Sequence, residues 1–488
     1  MLMLANAQEG RAGGITVVPG AQITETVTDN LRLQSANKVA DAVTQLTASL
    51  RVNSPSGRLQ GNLDYALSGF VYARGNGTSS FQNNLTGQFR ADVVDNWLTL
   101  DGRAQIGQQA VSAFGTQSID RGLPNANRTE VRSYQVTPSV RGSLGAAVDY
   151  QASVSQGATR TDASNERGNV DTTTAALSLS SPRGAVLGWQ AGLSRSRTDY
   201  ATSRATDSET ATLGLNYMPT PGLVVHANAG RESNNFSTQA QRANATWGAG
   251  TDWLPSTNIR ASGQLDHRFF GNGYRLSAEY RLPRSVFRFS SSRDVNDPSA
   301  QSSFGALATA YDLFYAQFAG IAPDPVKRDE LVRSYLQFYG ISATAQVATG
   351  FLPSAATLQR RTELSYALQG VRSNVVLTVS NSISSRIDSL TASVDDLSST
   401  NLVRQRSYSF TLGHRLTPVT GLSLDLSRQD NSGDGTGQSN SLRTIRLNLT
   451  TSLGQRSTAS LSARHVVFDS TTQPYTENAL VATFGLQF

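Results

Sequence analysis

Apolar side chains return at every second position of this chain, segment after segment, and only one region departs from that period. The alternation is plain in Leu59, Leu63, Tyr65 and Leu67, in Leu144, Ala146, Val148, Tyr150, Ala152 and Val154, and in Tyr274, Leu276, Ala278, Tyr280 and Leu282. It returns in Ile445, Leu447 and Leu449. A period of two places these residues on one face of a β-strand and their polar neighbours on the other. About 22 segments of roughly 11 to 17 residues carry the pattern. The chain closes on such a segment. Leu480, Ala482, Phe484, Leu486 and the terminal Phe488 form its apolar face, and Val481, Thr483, Gly485 and Gln487 the other. A one-faced strand ending on an aromatic is the assembly signal of a bacterial outer-membrane β-barrel, with Phe488 as its terminal mark.

The remaining composition narrows the alternatives. The 488 residues are 38% hydrophobic, and no run approaches the roughly 20 apolar residues of a membrane helix. Regular return of Val, Leu, Ile and aromatics argues against disorder. Cysteine is absent, which removes disulfides, thiolate metal sites and cysteine nucleophiles together. At the start, Ala5-Asn6-Ala7 follows an apolar run in the manner of a signal-peptidase site, although no basic segment precedes it. Residues 1–14 are therefore read as a signal-peptide remnant and tail, with export and a mature start near Gln8, and 15–488 as one barrel domain.

Short connections rich in turn formers, such as Ser54-Pro55-Ser56-Gly57, Pro219-Thr220-Pro221-Gly222 and Pro418-Val419-Thr420-Gly421, alternate with longer polar stretches without a clear exception. Among the latter are 29–38, 111–127, 386–402, 430–440 and 469–476. Outer-membrane barrels have short periplasmic turns and longer extracellular loops. The fold class expected is therefore an all-β, antiparallel, up-and-down transmembrane barrel of about 22 strands (20 to 24), integral to the bacterial outer membrane with both termini periplasmic. Trp97, Tyr217 and Trp253 beside short turns would form an interfacial girdle in contact with outer-membrane lipid.

Fixing the apolar register sends most charge inward. Arg58, Arg90, Arg103, Arg141, Arg260, Arg268, Arg275, Arg281, Arg288, Arg361 and Arg446 become lumen-lining candidates, together with Arg415 and Arg464. They face Asp64, Asp92, Asp101, Asp149, Asp266, Glu279, Glu363 and Asp425. Arginine outnumbers acid in this set, so the lumen is expected to be net positive and to favour anions. Pairing of the same charges into a brace across the wall is the competing expectation.

One insertion, 296–355, breaks the two-residue period. Phe304, Leu307, Tyr311, Phe314 and Phe318 recur at spacings of three and four. Asp324 and Pro325 then open a second helical signal with Leu331, Val332, Tyr335, Leu336 and Tyr339 on one face. A barrel of this strand number is roughly 40 Å across, from a spacing of about 4.8 Å between strands. An open hole that wide would compromise a permeability barrier. The helical hairpin is expected to plug or cap the lumen, the alternative being a role at the surface.

Catalytic and ligand-binding constellations are few. The four histidines are scattered without zinc spacing, no G-x-S-x-G is present, and the Gly433–Gly437 run lies in a loop instead of a phosphate cradle. The chain is expected to be a non-enzyme without cofactors or metals, and its net charge of +6 lacks the aromatic-interleaved basic patch of a nucleic-acid binder.

Five fragments carry a family resemblance: Thr28-Asp29-Asn30, Asp95-Asn96-Trp97-Leu98-Thr99-Leu100-Asp101, Ala113-Phe114-Gly115, Asn127-Arg128-Thr129-Glu130-Val131 and Asp324-Pro325-Val326. With these, the chain resembles, over roughly 15–488, the outer-membrane barrels associated with PEP-CTERM/exosortase systems of Gram-negative bacteria. That resemblance implies a part in exopolysaccharide export, with anionic polysaccharide and a periplasmic export component as partners. Assembly would engage the barrel assembly machinery through the C-terminal strand. A general or substrate-specific porin, and a structural scaffold clamping a periplasmic or extracellular partner, share the same sequence features.

Overall fold

The computed structural model describes residues 14–163, 166–182, 184–296, 311, 314, 315, 318, 325–338, 351–388, 395–434 and 437–488. The signal-peptide reading, Phe304, Leu307 and Tyr339 lie outside the described residues. In the first half the strands are β1 (Thr16–Thr28), β2 (Asp41–Ser54), β3 (Leu59–Tyr72), β4 (Ser80–Val94), β5 (Leu98–Ala110), β6 (Arg128–Leu144), β7 (Val148–Thr161), β8 (Val170–Ser180), β9 (Leu187–Tyr200), β10 (Thr206–Thr220) and β11 (Leu223–Asn234). The second half comprises β12 (Arg242–Ser256), β13 (Ile259–Arg268), β14 (Gly271–Leu282), β15 (Ser285–Asn296), β16 (Thr357–Gln369), β17 (Ser373–Arg386), β18 (Leu402–Arg415), β19 (Thr420–Gly433), β20 (Ser439–Ser452), β21 (Ser457–Ser470) and β22 (Tyr475–Gln487).

Every strand pairs antiparallel with its sequence neighbours, and β1 pairs with β22, from Gly20 opposite Gln487 to Thr28 opposite Ala479. The result is a closed 22-stranded up-and-down barrel. Closure is what lets alternating strands of modest hydrophobicity survive in lipid. Each backbone N–H and C=O is satisfied between strands, and no edge is left.

Side chains sort as the alternation requires. Leu46, Leu193, Leu213, Leu265, Ile445, Leu447, Leu461 and Leu480 are exposed on the outside, while the intervening residues face the lumen. So apolar an exterior requires a bilayer around it. Trp97, Tyr217 and Trp253 are each about half exposed, at the end of the barrel that carries the short turns. Both β1 and β22 have their outer ends there, so the described chain begins and finishes at the same rim. Gly222, in the two-residue connection between β10 and β11, takes φ +87° with the Leu254 carbonyl only 2.4 Å from where a Cβ would stand, so no other residue fits this turn.

The alternation of connection lengths is less strict than the sequence implies. At the end of the long loops, β13 and β14 are joined by Phe269 and Phe270 alone. Phe269 stacks on Phe236 at 5.5 Å and Arg268 lies 5.3 Å over the Phe270 ring, so this tight turn packs against the neighbouring loop. Strand pairing also runs further than expected around 430–440 and 469–476, with β19 reaching Gly433 and β20 starting at Ser439, and β21 reaching Ser470 and β22 starting at Tyr475.

The register makes a direct prediction. Leu447 faces lipid and its neighbour Asn448 faces the lumen. Leu447→Arg is expected to destabilise the barrel in lipid vesicles by about 2 to 4 kcal/mol, the midplane value for lipid-facing arginine, and Asn448→Arg by less than about 1 kcal/mol, measured by guanidinium unfolding.

Candidate functional site, an occupied lumen

The insertion between β15 and β16 leaves from the long-loop end yet packs near the opposite one. Its described helix, α1 (Pro325–Phe338), matches the second helical signal, and Tyr311, Phe314 and Tyr315 of the first are also helical. Phe314, Phe318, Val332 and Leu336 are fully buried against Val286, Ala367 and Val376. Those three wall residues face inward and lie close to the short turns that join β14 to β15 and β16 to β17. Polar contacts tie α1 down on two sides. Asn374 Nδ2 donates to Tyr335 Oη at 3.2 Å, and Arg333 lies 3.5 Å from Asp64 on the inner face of β3. Arg333 also pairs with Asp329 at 2.9 Å, and the Tyr311 hydroxyl donates to the same carboxylate. Burial, with that hydrogen bond, pushes the Tyr311 phenol well above its ordinary pKa, so the group stays a donor. These described residues of the insertion therefore lie against the inner wall of the barrel.

Between plug and wall lies a cavity of about 630 Å³, lined by Tyr311, Tyr315, Asp329 and Arg333 on one side and Arg51, Asp64, Arg90, Asp101 and Arg103 on the other.

At the long-loop end a second device, which sequence reasoning missed, reaches into the barrel. The loop 111–127, expected to project outward, folds into the mouth. Ile119 and Leu123 pack with inward-facing Val43, Phe70, Tyr72, Leu442, Val466, Phe468 and Tyr475. Apolar Ile119, Leu123 and Phe114 in an otherwise polar loop were the signal available. Its latch is Arg464 on β21, which is buried and grips Glu477 through two nitrogens at 2.6 and 3.2 Å while donating to Asp120 of the loop at 2.8 Å. Tyr72 and Tyr475 hydroxyls donate to the loop carbonyls of Gly122 and Gln117 at 2.8 and 2.6 Å.

Ala113 is the crossing point of several loops. Its N–H donates to Asp396 at 2.6 Å, and its carbonyl accepts from Asn431 and Asn440 at 3.0 and 2.8 Å. Asp395 holds Ser354, and Arg204 pairs with Asp388 at 2.8 Å. Burial holds the Asp396 carboxyl above the usual carboxylate range, against the hydrogen bonds from Ser112 and Ala113 and the charge of Arg167.

The arginine candidates face the lumen with one correction. Arg58 sits in the turn between β2 and β3, largely exposed and paired with Asp95 of the next turn, so it belongs to the rim. Arg90, Arg103, Arg141, Arg260, Arg268, Arg275, Arg281, Arg288, Arg361 and Arg446 occupy inward positions. Arg90 pairs with Asp101, Arg268 with Glu232 and Asp294, Arg281 and Arg288 with Glu279, and Arg361 with Glu363. Asp41, Glu232, Asp252, Asp294 and Glu477 also point inward, as do Arg51, Arg242 and Arg386, so the inner wall is closer to balance than the sequence set implies while arginine still outnumbers acid on it. They were missed because they lie toward strand ends, beyond the apolar residues that set the register. Across β8, β9 and β10 the inward wall from Thr172 to Ser180, Gly188 to Thr198 and Thr206 to Asn216 carries no charge at all, only hydroxyl, amide, alanine and glycine positions.

No protein-family model and no curated protein matches this chain. Among solved structures, the siderophore receptor PirA from Pseudomonas aeruginosa is similar at 11% identity and a TM-score of 0.44, with 96% of this chain and 80% of that one covered. The FrpB iron transporter from Neisseria meningitidis gives 11% identity and a TM-score of 0.49 over 96% of this chain and 82% of that one. OccAB3 from Acinetobacter baumannii gives 9% identity and a TM-score of 0.35 over 97% and 99%. At such distances these similarities carry neither the fold nor the function, both of which rest on this chain's own residues.

Two outcomes are expected. Arg464→Met strands the buried Glu477 and the part-buried Asp120 and should destabilise the cap by about 3 kcal/mol, seen as faster amide exchange over 111–127 and higher single-channel conductance in planar bilayers. For Asp396, a folded pKa raised above the unfolded one gives stability that is complete at low pH and falls away as pH rises through the raised value. Channel opening should therefore become more frequent as pH rises from acid toward neutral, and Asp396→Asn should flatten that dependence.

Proposed function

We propose that this chain is an outer-membrane channel, closed at rest, that takes part in exopolysaccharide export. One observation carries the gated reading: the lumen is occupied from both ends, by α1 anchored through Arg333 to Asp64 and by the loop 111–127 latched through Asp120 to Arg464. A general porin needs a continuous water path, and both the plug and the cap stand where that path would run. Transport then requires the plug or cap to move, which a periplasmic export component reaching the short-turn rim could drive. In this orientation both chain ends face the periplasm and the cap faces outward.

The polysaccharide enters through the resemblance to exosortase-associated barrels, and the inner wall suits it. A neutral surface of hydroxyl and amide groups across β8 to β10 can exchange hydrogen bonds with a polyhydroxylated polymer at successive positions without holding it at any one. Several resemblance fragments also fall at structural corners of the cap. Asn30 Nδ2 donates to the Gln34 and Thr476 carbonyls at 2.7 and 2.9 Å, and Asn127 Nδ2 to that of Ser112 at 2.9 Å.

The decisive experiment is the partition of exopolysaccharide between surface, medium and periplasm in a strain lacking this chain. Periplasmic accumulation with surface loss, reversed by complementation, is expected. An unchanged partition would return the porin and scaffold readings to the front. In planar bilayers, deletion of 300–350 should raise conductance several-fold, and an unchanged conductance would refute the plug.

A further inference from the structure

The outer surface of the barrel has a groove of about 930 Å³ crossing β5 to β12. Strand register explains its course. One row of directly opposed, outward-facing residues runs from Leu98 through Val140, Ala152, Leu177, Leu193 and Ala211 to Arg231. The next row runs from Val154 through Ala175, Arg195, Glu209 and Ser233 to Ala243. Rows perpendicular to tilted strands climb the barrel wall. Leu98 opens β5 at the short-turn end, whereas Ala243 is the second residue of β12 at the long-loop end. The groove is deepened where Ala152, Ala175 and Ala211 stand among larger neighbours.

Its two halves differ in chemistry. The lower half, from Leu98 to Leu193, is apolar. The upper half brings together Arg195, Glu209 and Arg231 on three adjacent strands. Arg195 meets Glu209 at 3.4 Å with both side chains well exposed, a pair of little intrinsic strength. Arg231 has no ion-pair partner among the described residues. This corner thus carries a spare cation at the boundary of the apolar surface, continuous with the lipid-facing belt.

We infer that this groove is a specific seat for an acyl lipid of the surrounding bilayer whose phosphate headgroup is net anionic. Its chain lies along Leu193, Leu177, Ala175 and Ala152, and its phosphate sits on Arg231 and Arg195. A guanidinium with no carboxylate to neutralise it matches a phosphate, and the slot beneath accepts a hydrocarbon chain and offers nothing to a soluble anion. A zwitterionic lipid fills the slot but brings its own ammonium to this corner, leaving the spare positive charge uncompensated. Ordinary annular lipid, by contrast, would show no dependence on these two arginines. The inference requires that the barrel sits in a bilayer and is independent of what the channel carries.

The test uses the full-length barrel in mixed micelles, with phosphatidylglycerol and phosphatidylcholine of identical chains competing for retention in native mass spectrometry. At least ten-fold preferential retention of phosphatidylglycerol is expected in the unaltered protein. The double variant Arg195→Gln with Arg231→Gln should abolish the preference, and Ala211→Phe should reduce retention of both lipids by blocking the slot. Both variants alter only outward positions, and heat-modifiable electrophoretic mobility confirms that each barrel has folded. Equal retention of the two lipids, or a preference that survives the double variant, overturns the inference. A barrel that fails to insert into vesicles at all overturns instead the membrane reading beneath it.

Discussion

Everything in this molecule depends on the pairing of β1 with β22. In a hydrocarbon environment no water is available for exposed backbone groups, and an open sheet would leave two strands unsatisfied. The pairing of Gly20 to Thr28 with Gln487 to Ala479 removes both edges at once. Only after closure does modest alternation suffice, because each strand needs a single apolar face and the ladder satisfies the rest. The same closure fixes circumference, and with it the problem that the remaining residues solve.

That problem is width. Twenty-two strands enclose far more space than wall side chains can fill. The chain fills it with material of its own, from two connections that leave the same end. The insertion between β15 and β16 reaches deep, burying Phe314, Phe318, Val332 and Leu336 on the inner wall. The loop 111–127 stays shallow and is held by Arg464, Tyr72 and Tyr475. Their attachments are of different kinds. The deep plug presents an aromatic and aliphatic face to the wall. The shallow cap is a mesh of hydrogen bonds centred on Ala113 and Asp120.

Charge inside the barrel is organised around these inserts. Arginines and carboxylates cluster on the walls from β2 to β5 and from β11 to β16, where ion pairs brace neighbouring strands and meet the plug. The wall between, from β8 to β10, is left neutral. The lumen is thus divided into a braced side and a smooth side.

The sequence by itself determined the barrel. A two-residue period over nearly the whole chain, without any helix long and apolar enough to cross a membrane among the described residues, permits little else, and it placed Leu447, Phe484 and nearly all the named arginines on their correct faces. It also located α1, because Pro325 and the spacing of Leu331, Val332, Tyr335 and Leu336 are local signals. What only tertiary structure decided was where the loops go and which charges meet. The inward fold of 111–127, the pairing of Arg464 with Asp120 across hundreds of residues, and the inward carboxylates at strand ends depend on contacts distant in sequence. Periodicity reports the face of a strand, and it is silent about what reaches that face from elsewhere in the chain.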